Sequence, residues 1–262
     1  MSKKDLLSLI PESNHLITLP LSKMEIKVTP FKHGSMKNLL LIVKDLDKVK
    51  KGGTKKMLSA LNDILQSCVK ESVTGDRVDI RKLHIADYIY MMLYIREISK
   101  GEETRFIYNC RSRECSGNKE LVFKLDDCEL VNAENKDTEK IKIEFDEENF
   151  VIFHINSFTF NVLFQNAGMF GSEIETGDET TNYYASFINA IEDKDGELND
   201  NLSLESKRTF LQHLTNIQIK ALVDHVENPP MLEWKNIFDC DVCGTENHAI
   251  MDNIMHFFSI SW

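Results

Sequence analysis

The sequence predicts an α+β fold with N-terminal strands, a helical core, a central antiparallel sheet and one element assembled from two distant cysteine pairs. Three observations carry this expectation. Between residues 58 and 98 apolar side chains recur every three or four positions, as on the buried face of a helix. From about residue 104 the pattern changes to alternation, most strictly in Lys140-Ile141-Lys142-Ile143-Glu144-Phe145, as in a half-buried strand. Cys110 and Cys115 in the first half are matched by Cys240 and Cys243 near the C-terminal end.

In chain order, residues 16–19 and 24–29 read as two short strands joined by a turn at Pro20-Leu21-Ser22-Lys23, the second ended by Pro30. Residues 36–43 read as a helix broken by Gly52-Gly53. Thr54 is then placed to cap a second helix carrying Leu58, Leu61, Ile64, Leu65 and Cys68, closed by Gly75. A third helix over about 80–100, with Gly101 as its C-cap, is apolar nearly all round and should be central to the core. Residues 105–109 and 120–125 flank the first cysteine pair as a hairpin. Residues 140–145, 150–155 and 158–164 extend a sheet. The polar stretch 132–138 and the loop 168–181 read as insertions or linkers. Helices are expected again at 182–191 and 203–226, and a terminal amphipathic segment at 249–258. Three regions follow: 1–131, α+β with the first knuckle; 132–181, β-rich; and 182–262, helical, with the second knuckle packing back on the first half.

Cys240-Asp241-Val242-Cys243-Gly244 is the most informative stretch. Two thiols two residues apart, followed by glycine, let a tight turn aim both sulfurs at one ion. Cys110-Arg111-Ser112-Arg113-Glu114-Cys115 supplies a second pair, followed by Ser116-Gly117-Asn118. Four thiolates on two such knuckles make a closed tetrahedral zinc site, structural in role. The expected centre is therefore a split zinc-knuckle, zinc-ribbon-like, with one zinc per chain on Cys110, Cys115, Cys240 and Cys243; two independent reduced pairs are the alternative. Cys68 reads as a small core residue, and Cys128 as core or incidental surface. The clip would close about 130 residues, and closure entropy grows only logarithmically with loop length.

Composition narrows the function classes. With 31 basic and 42 acidic side chains, the formal charge of −11 argues against broad binding to a phosphate backbone. The N-terminal apolar run is too short for a secretory signal, and the apolar stretch 85–98 is interrupted by Asp87, Arg96 and Glu97, so no membrane span and synthesis in the cytoplasm are expected. Asp193-Lys194-Asp195-Gly196 does not fit a calcium loop, because Ile191 and Leu202 would occupy positions that require acids. Gly52-Gly53-Thr54-Lys55 lacks the spacing of a phosphate loop. His248 and His256 stand near the second knuckle as reserve ligands, with packing or exposure the plainer reading. Asp87 and Glu97 read as structural partners. No nucleophile, base and oxyanion donor assemble, and the chain is expected to be no enzyme. Trp234, Phe238, Phe257, Phe258 and Trp262 form an aromatic-rich terminus. It is either a capped core or, through Trp234, Phe257, Phe258 and Trp262, a docking surface for a partner.

The layout also resembles a known family. Val28-Thr29-Pro30-Phe31-Lys32, Leu39-Leu40-Leu41, Ile64-Leu65-Gln66-Ser67-Cys68-Val69, Asp87 with Leu93-Tyr94-Ile95-Arg96, and Phe238-Asp239-Cys240-Asp241-Val242-Cys243-Gly244 before the Phe257-Phe258 tail are similar, in that order, to T-even-type bacteriophage baseplate hub assembly proteins. The four-residue gap between Cys110 and Cys115 departs from the two-residue spacing typical there. The resemblance implies a structural or assembly role in the hub of a contractile tail, among other hub or tail proteins, in the host cytoplasm during assembly and then in the virion baseplate. The alternative is a zinc-ribbon adaptor for nucleic acid or the transcription machinery, suggested by Lys48, Lys50, Lys51, Lys55 and Lys56.

Overall fold

A computed structural model describes residues 13–32, 53–165 and 177–252, together with Gly34, Lys37 and Phe257. The fold is mixed α+β, with several antiparallel sheets and, among the described residues, six α-helices. The predicted helix 36–43 lies outside the described residues except for Lys37, as does the predicted loop 168–181 before residue 177.

Strands β1 (His15–Thr18) and β2 (Glu25–Val28) pair antiparallel as expected, and their turn is held from within the core. The Asp87 carboxylate accepts the backbone N–H groups of Leu21 at 2.7 Å and Ser22 at 3.0 Å, so a buried charge on a helix satisfies two turn donors. Helix α1 (Gly53–Cys68) buries Leu58, Leu61, Leu65 and Cys68, and Thr54 lies within its first turn, not before it. The chain then forms a strand the sequence reading lacked, β3 (Val69–Ser72), because Val69 and Ser72 complete the ladder on β2; Gly75, at φ +88°, makes the turn beyond it.

The predicted helix 80–100 is divided. A 3-10 turn (Ile80–Lys82) capped by Asp79 precedes α2 (Ile85–Lys100), whose N-cap is His84, with Nδ1 accepting the Ala86 N–H at 3.3 Å. Gly101 closes α2 at φ +113°. Helix α2 buries residues on every side and packs against α1 and the later strand β11 (Met231–Asp239). Tyr88 stacks on Phe160, with ring centroids 4.4 Å apart.

A four-stranded sheet runs β10-β9-β8-β7, from β7 (Lys140–Glu144), β8 (Phe150–Ile155), β9 (Ile188–Asp193) and β10 (Leu198–Asn199). Residues 158–164 are not its next strand. They hold helix α3 (Phe160–Gln165), where Thr159 Oγ1 accepts the Val162 N–H and Phe160 stacks on Phe164 four residues on. Apolar residues at every second position, Phe158, Phe160, Val162 and Phe164, also include pairs four apart, and here the cap decides. Helix α4 (Gly177–Phe187) ends where β9 begins, so residues 188–191 are strand instead of helix and residues 177–181 are helix instead of loop. Pairing of Ile191 with Phe153 and of Ala190 with His154 outweighs local propensity. Asp193 Oδ1 accepts the N–H groups of Asp195 and Glu197 in the β9–β10 turn, an ordinary solvated turn. The single helix expected at 203–226 is two, α5 (Leu204–Gln212) and α6 (Asn216–Glu227), separated by a capping box of Thr215 and Gln218.

The remaining strands build the thiol end of the molecule. Strands β4 (Thr104–Asn109) and β5 (Asn118–Phe123) form one hairpin; β11 (Met231–Asp239) and β12 (Glu246–Met251) form another. Residues 249–251, expected in an amphipathic terminal segment, belong to β12. Strand β6 (Glu129–Val131) adds to β11 on its other side, making the order β12-β11-β6. No described helix is long and apolar enough to cross a membrane.

Candidate metal centre

Each hairpin carries a knuckle at its tip. Cys110 follows β4 and Cys115 precedes β5, while Cys240 follows β11 and Cys243 lies in the turn before β12. The hairpins face each other through aromatic side chains. Trp234 on β11 meets Phe106 and Phe123 edge-on or tilted at 5.8 and 5.9 Å, and Phe238 meets Tyr108 at 5.5 Å. The Tyr108 hydroxyl donates to the His248 carbonyl oxygen at 3.1 Å. This packing brings both tips to the same end.

The four sulfurs lie within 4.8 Å of one another. Across the hairpins, Cys110 Sγ is 3.7 Å from Cys243 Sγ, and Cys115 Sγ is 3.7 Å from Cys240 Sγ. Zinc–sulfur bonds of about 2.3 Å in a tetrahedron give a sulfur–sulfur edge of about 3.8 Å. The cross-hairpin pairs thus stand at the spacing of a tetrathiolate and well beyond that of a disulfide, and all four cysteines are free thiols. The donor set fits a thiophilic tetrahedral ion, with all four positions filled by protein.

Local backbone geometry explains the aim of each sulfur. In the second knuckle, Gly244 at φ +70° lets its N–H reach the Cys240 carbonyl, and the Cys240 N–H reaches Thr245 O. In the first, the Cys110 N–H donates to the Gly117 carbonyl, and the Gly117 N–H donates to Cys115 Sγ at 3.3 Å. Gly117 is there because of space: a Cβ would stand 2.8 Å from Cys240 Sγ, 3.0 Å from Val242 Cγ2 and 3.1 Å from Cys115 Sγ.

Electrostatics within the cluster is uneven. The Thr245 hydroxyl and N–H hold the Cys243 thiol down to about 6. The Gly117 N–H pulls Cys115 the same way, but the Cys243 sulfur, burial and the Cys240 and Cys110 sulfurs outweigh it and push Cys115 up to about 12. Four sulfurs this close resist ionising together, and a divalent cation between them removes that repulsion.

One contributor escaped the sequence reading. Asn247, fully buried on β12, accepts the Arg111 N–H through Oδ1 at 2.9 Å; its Nδ2 faces Thr245 O at 2.8 Å and Cys110 Sγ at 3.7 Å. Its only sequence signal is a polar residue at an inward position of an alternating strand. His248 turns to Glu246 Oε1 at 2.7 Å and is not in the cluster, and His256 lies outside the described residues. Of the four aromatics considered for docking, Trp234 is 1% exposed and Phe257 0%, with Phe123 packed against both; Phe258 and Trp262 lie outside the described residues. For Trp234 and Phe257 the capped-core alternative fits the geometry.

Paired hairpins with converging tips, set on an α+β body, bring four thiols from distant parts of the chain into one cluster. The family model described as T4 bacteriophage base plate protein matches residues 12–259, and the chain belongs to that family. No curated protein and no solved structure matches it. It is accordingly a structural protein of a T4-type phage baseplate.

Proposed function

We propose that this baseplate protein is a non-enzymatic component of the hub of the contractile tail, or of its assembly, with one structural zinc per chain held by Cys110, Cys115, Cys240 and Cys243. The family match over nearly the whole chain carries the baseplate role. The four-sulfur cluster, which joins segments 125 and 133 residues apart, supports a metal that locks the fold and leaves no position for substrate. On this reading the chain works among other hub and tail proteins, in the host cytoplasm during assembly and in the virion baseplate. We read residues 182–262 as packing back on residues 1–131. The last region returns to the first through the β6–β11 ladder and the shared thiols.

The test is co-expression of the tagged chain with separate sets of hub, wedge and tail-tube proteins, beside elemental analysis of the purified chain. Retention of hub proteins with about one zinc per chain supports the proposal. Retention only of proteins outside the hub rejects the hub assignment, and absence of zinc rejects the metal. A salt-dependent gel shift on nucleic acid would favour the adaptor alternative.

A further inference from the structure

Apart from the cysteines themselves, Asn247 is the side chain that reaches both knuckles by hydrogen bonds among the described residues around the thiols. Among the described residues it is also the only fully buried polar one at that end of the molecule. The orientation of its amide is set by its partners. Oδ1 faces a donor, the Arg111 N–H, and Nδ2 faces an acceptor, the Thr245 carbonyl, so reversing the amide would oppose like groups on both sides. With that orientation fixed, the second hydrogen on Nδ2 points toward Cys110 Sγ.

The sulfurs are not equally protected. Cys240 is buried, Cys110 and Cys115 are half-buried and Cys243 is exposed, so of the two cross-hairpin pairs Cys110–Cys243 is the more open to water. Each sulfur on this edge has its own donor or hydroxyl neighbour: Thr245 for Cys243 and Asn247 for Cys110. Thr245 and Asn247 are themselves joined, through the carbonyl of Thr245. A hydrogen bond to a thiolate takes up part of its charge and fixes the direction of its lone pairs, as outer groups do for metal ligands generally.

From this geometry we infer that Asn247 is a positioning residue for the thiol centre. It holds Arg111, and with it the first knuckle, in register with the second, and donates to Cys110 on the water-facing edge. The inference rests on the metal reading given above. Because its hydrogen bonds to Arg111 and Thr245 need no ion, Asn247 prepares the two halves of the site before metal arrives.

Asn247→Asp tests this with little change of shape. The carboxylate still accepts from Arg111, but it cannot donate to Cys110, opposes the Thr245 carbonyl and adds negative charge beside the thiolates. Asn247→Ala removes both functions. The full chain is titrated with Zn²⁺ against a chromophoric chelator, and separately with Co²⁺, whose sulfur-to-metal charge-transfer absorption reports the thiolates directly. Both variants are expected to lose about 10- to 100-fold in zinc affinity, with a shifted Co²⁺ absorption. Amide exchange of Arg111 in metal-free protein should rise in Asn247→Ala and stay nearer wild type in Asn247→Asp. If Asn247→Ala does not fold, Asn247→Asp alone decides. Wild-type affinity and an unchanged Co²⁺ spectrum in Asn247→Asp would overturn the inference while leaving the metal site intact. Failure of the wild-type chain to bind either ion would overturn the metal reading itself, and this inference with it.

Discussion

Gly117→Ala isolates the convergence of the two hairpin tips. The substitution adds one methyl group at a buried position where the sequence offers no hint of crowding. That methyl carbon would stand 2.8 Å from Cys240 Sγ, and the sulfur must retreat about 0.6 Å to regain the 3.4 Å of an ordinary contact. Cys115 Sγ at 3.1 Å and Val242 at 3.0 Å block simple escape by the new methyl. Metal–ligand distances tolerate only about 0.2 Å, so the displacement is several times what a tetrathiolate accepts. Overpacking of this kind costs about 1–3 kcal/mol, equivalent to a roughly 5- to 150-fold loss of zinc affinity. Backbone strain contributes nothing to this figure, because Gly117 is not among the positive-φ glycines. The metal-free protein should be affected much less, since an unbound thiol can rotate away. Competition for zinc against a chelator, with thermal unfolding in the presence and absence of metal, reads both quantities. Wild-type zinc affinity in Gly117→Ala would refute the placement of Gly117 between the two knuckles. Equal destabilisation with and without metal would refute the claim that the cost falls on the ion.

The other expectations are as direct. Cys110→Ser and Cys240→Ser should each abolish stoichiometric zinc by elemental analysis, whereas Cys128→Ser, away from the cluster, should retain it. Asp87→Ala leaves the Leu21 and Ser22 N–H groups without their acceptor and should cost about 3 kcal/mol in denaturant unfolding; a loss below about 1 kcal/mol would mean that the turn has another anchor. Trp234→Ala should cost about 3–5 kcal/mol of stability, and an unchanged denaturation midpoint would contradict its burial. His84 is held down to about 4 by burial, with a contribution from His225, so the folded state binds its proton later than the unfolded state does. Its contribution is present above the unfolded value of 6.5 and is lost as pH falls toward 4, about 3 kcal/mol in all. His84→Asn, which keeps an N-cap acceptor, should flatten the stability-versus-pH curve between 6.5 and 4; an unaltered slope would refute this assignment.

How far the sequence could be read depended on where each signal was stored. The paired thiols, the β4–β5 hairpin, β7 and β8 and the Gly101 cap were legible because the pattern and the cause are local. Strand β9 was not, since Ile188-Asn189-Ala190-Ile191 suits a helix or a strand until β8 lies beside it. Residues 158–164 misled because their apolar spacing satisfies both periods, and Thr159 breaks the tie. Strand β3 depends on β2, and β11 on partners on both sides. At the site, the four thiols were visible in sequence but their supporting residues were not. Asn247 and Gly117 acquire meaning only once the second hairpin is set against the first.

The wide separation of the two knuckles also bears on when the protein becomes competent. During synthesis the first hairpin emerges with two thiols that have no partners, and it must wait more than a hundred residues for the rest of its site. A chain stopped short of Cys240 can present only two of the four thiols, and it lacks β12 from the sheet. Completion of the centre is therefore a molecular record that translation has passed that point.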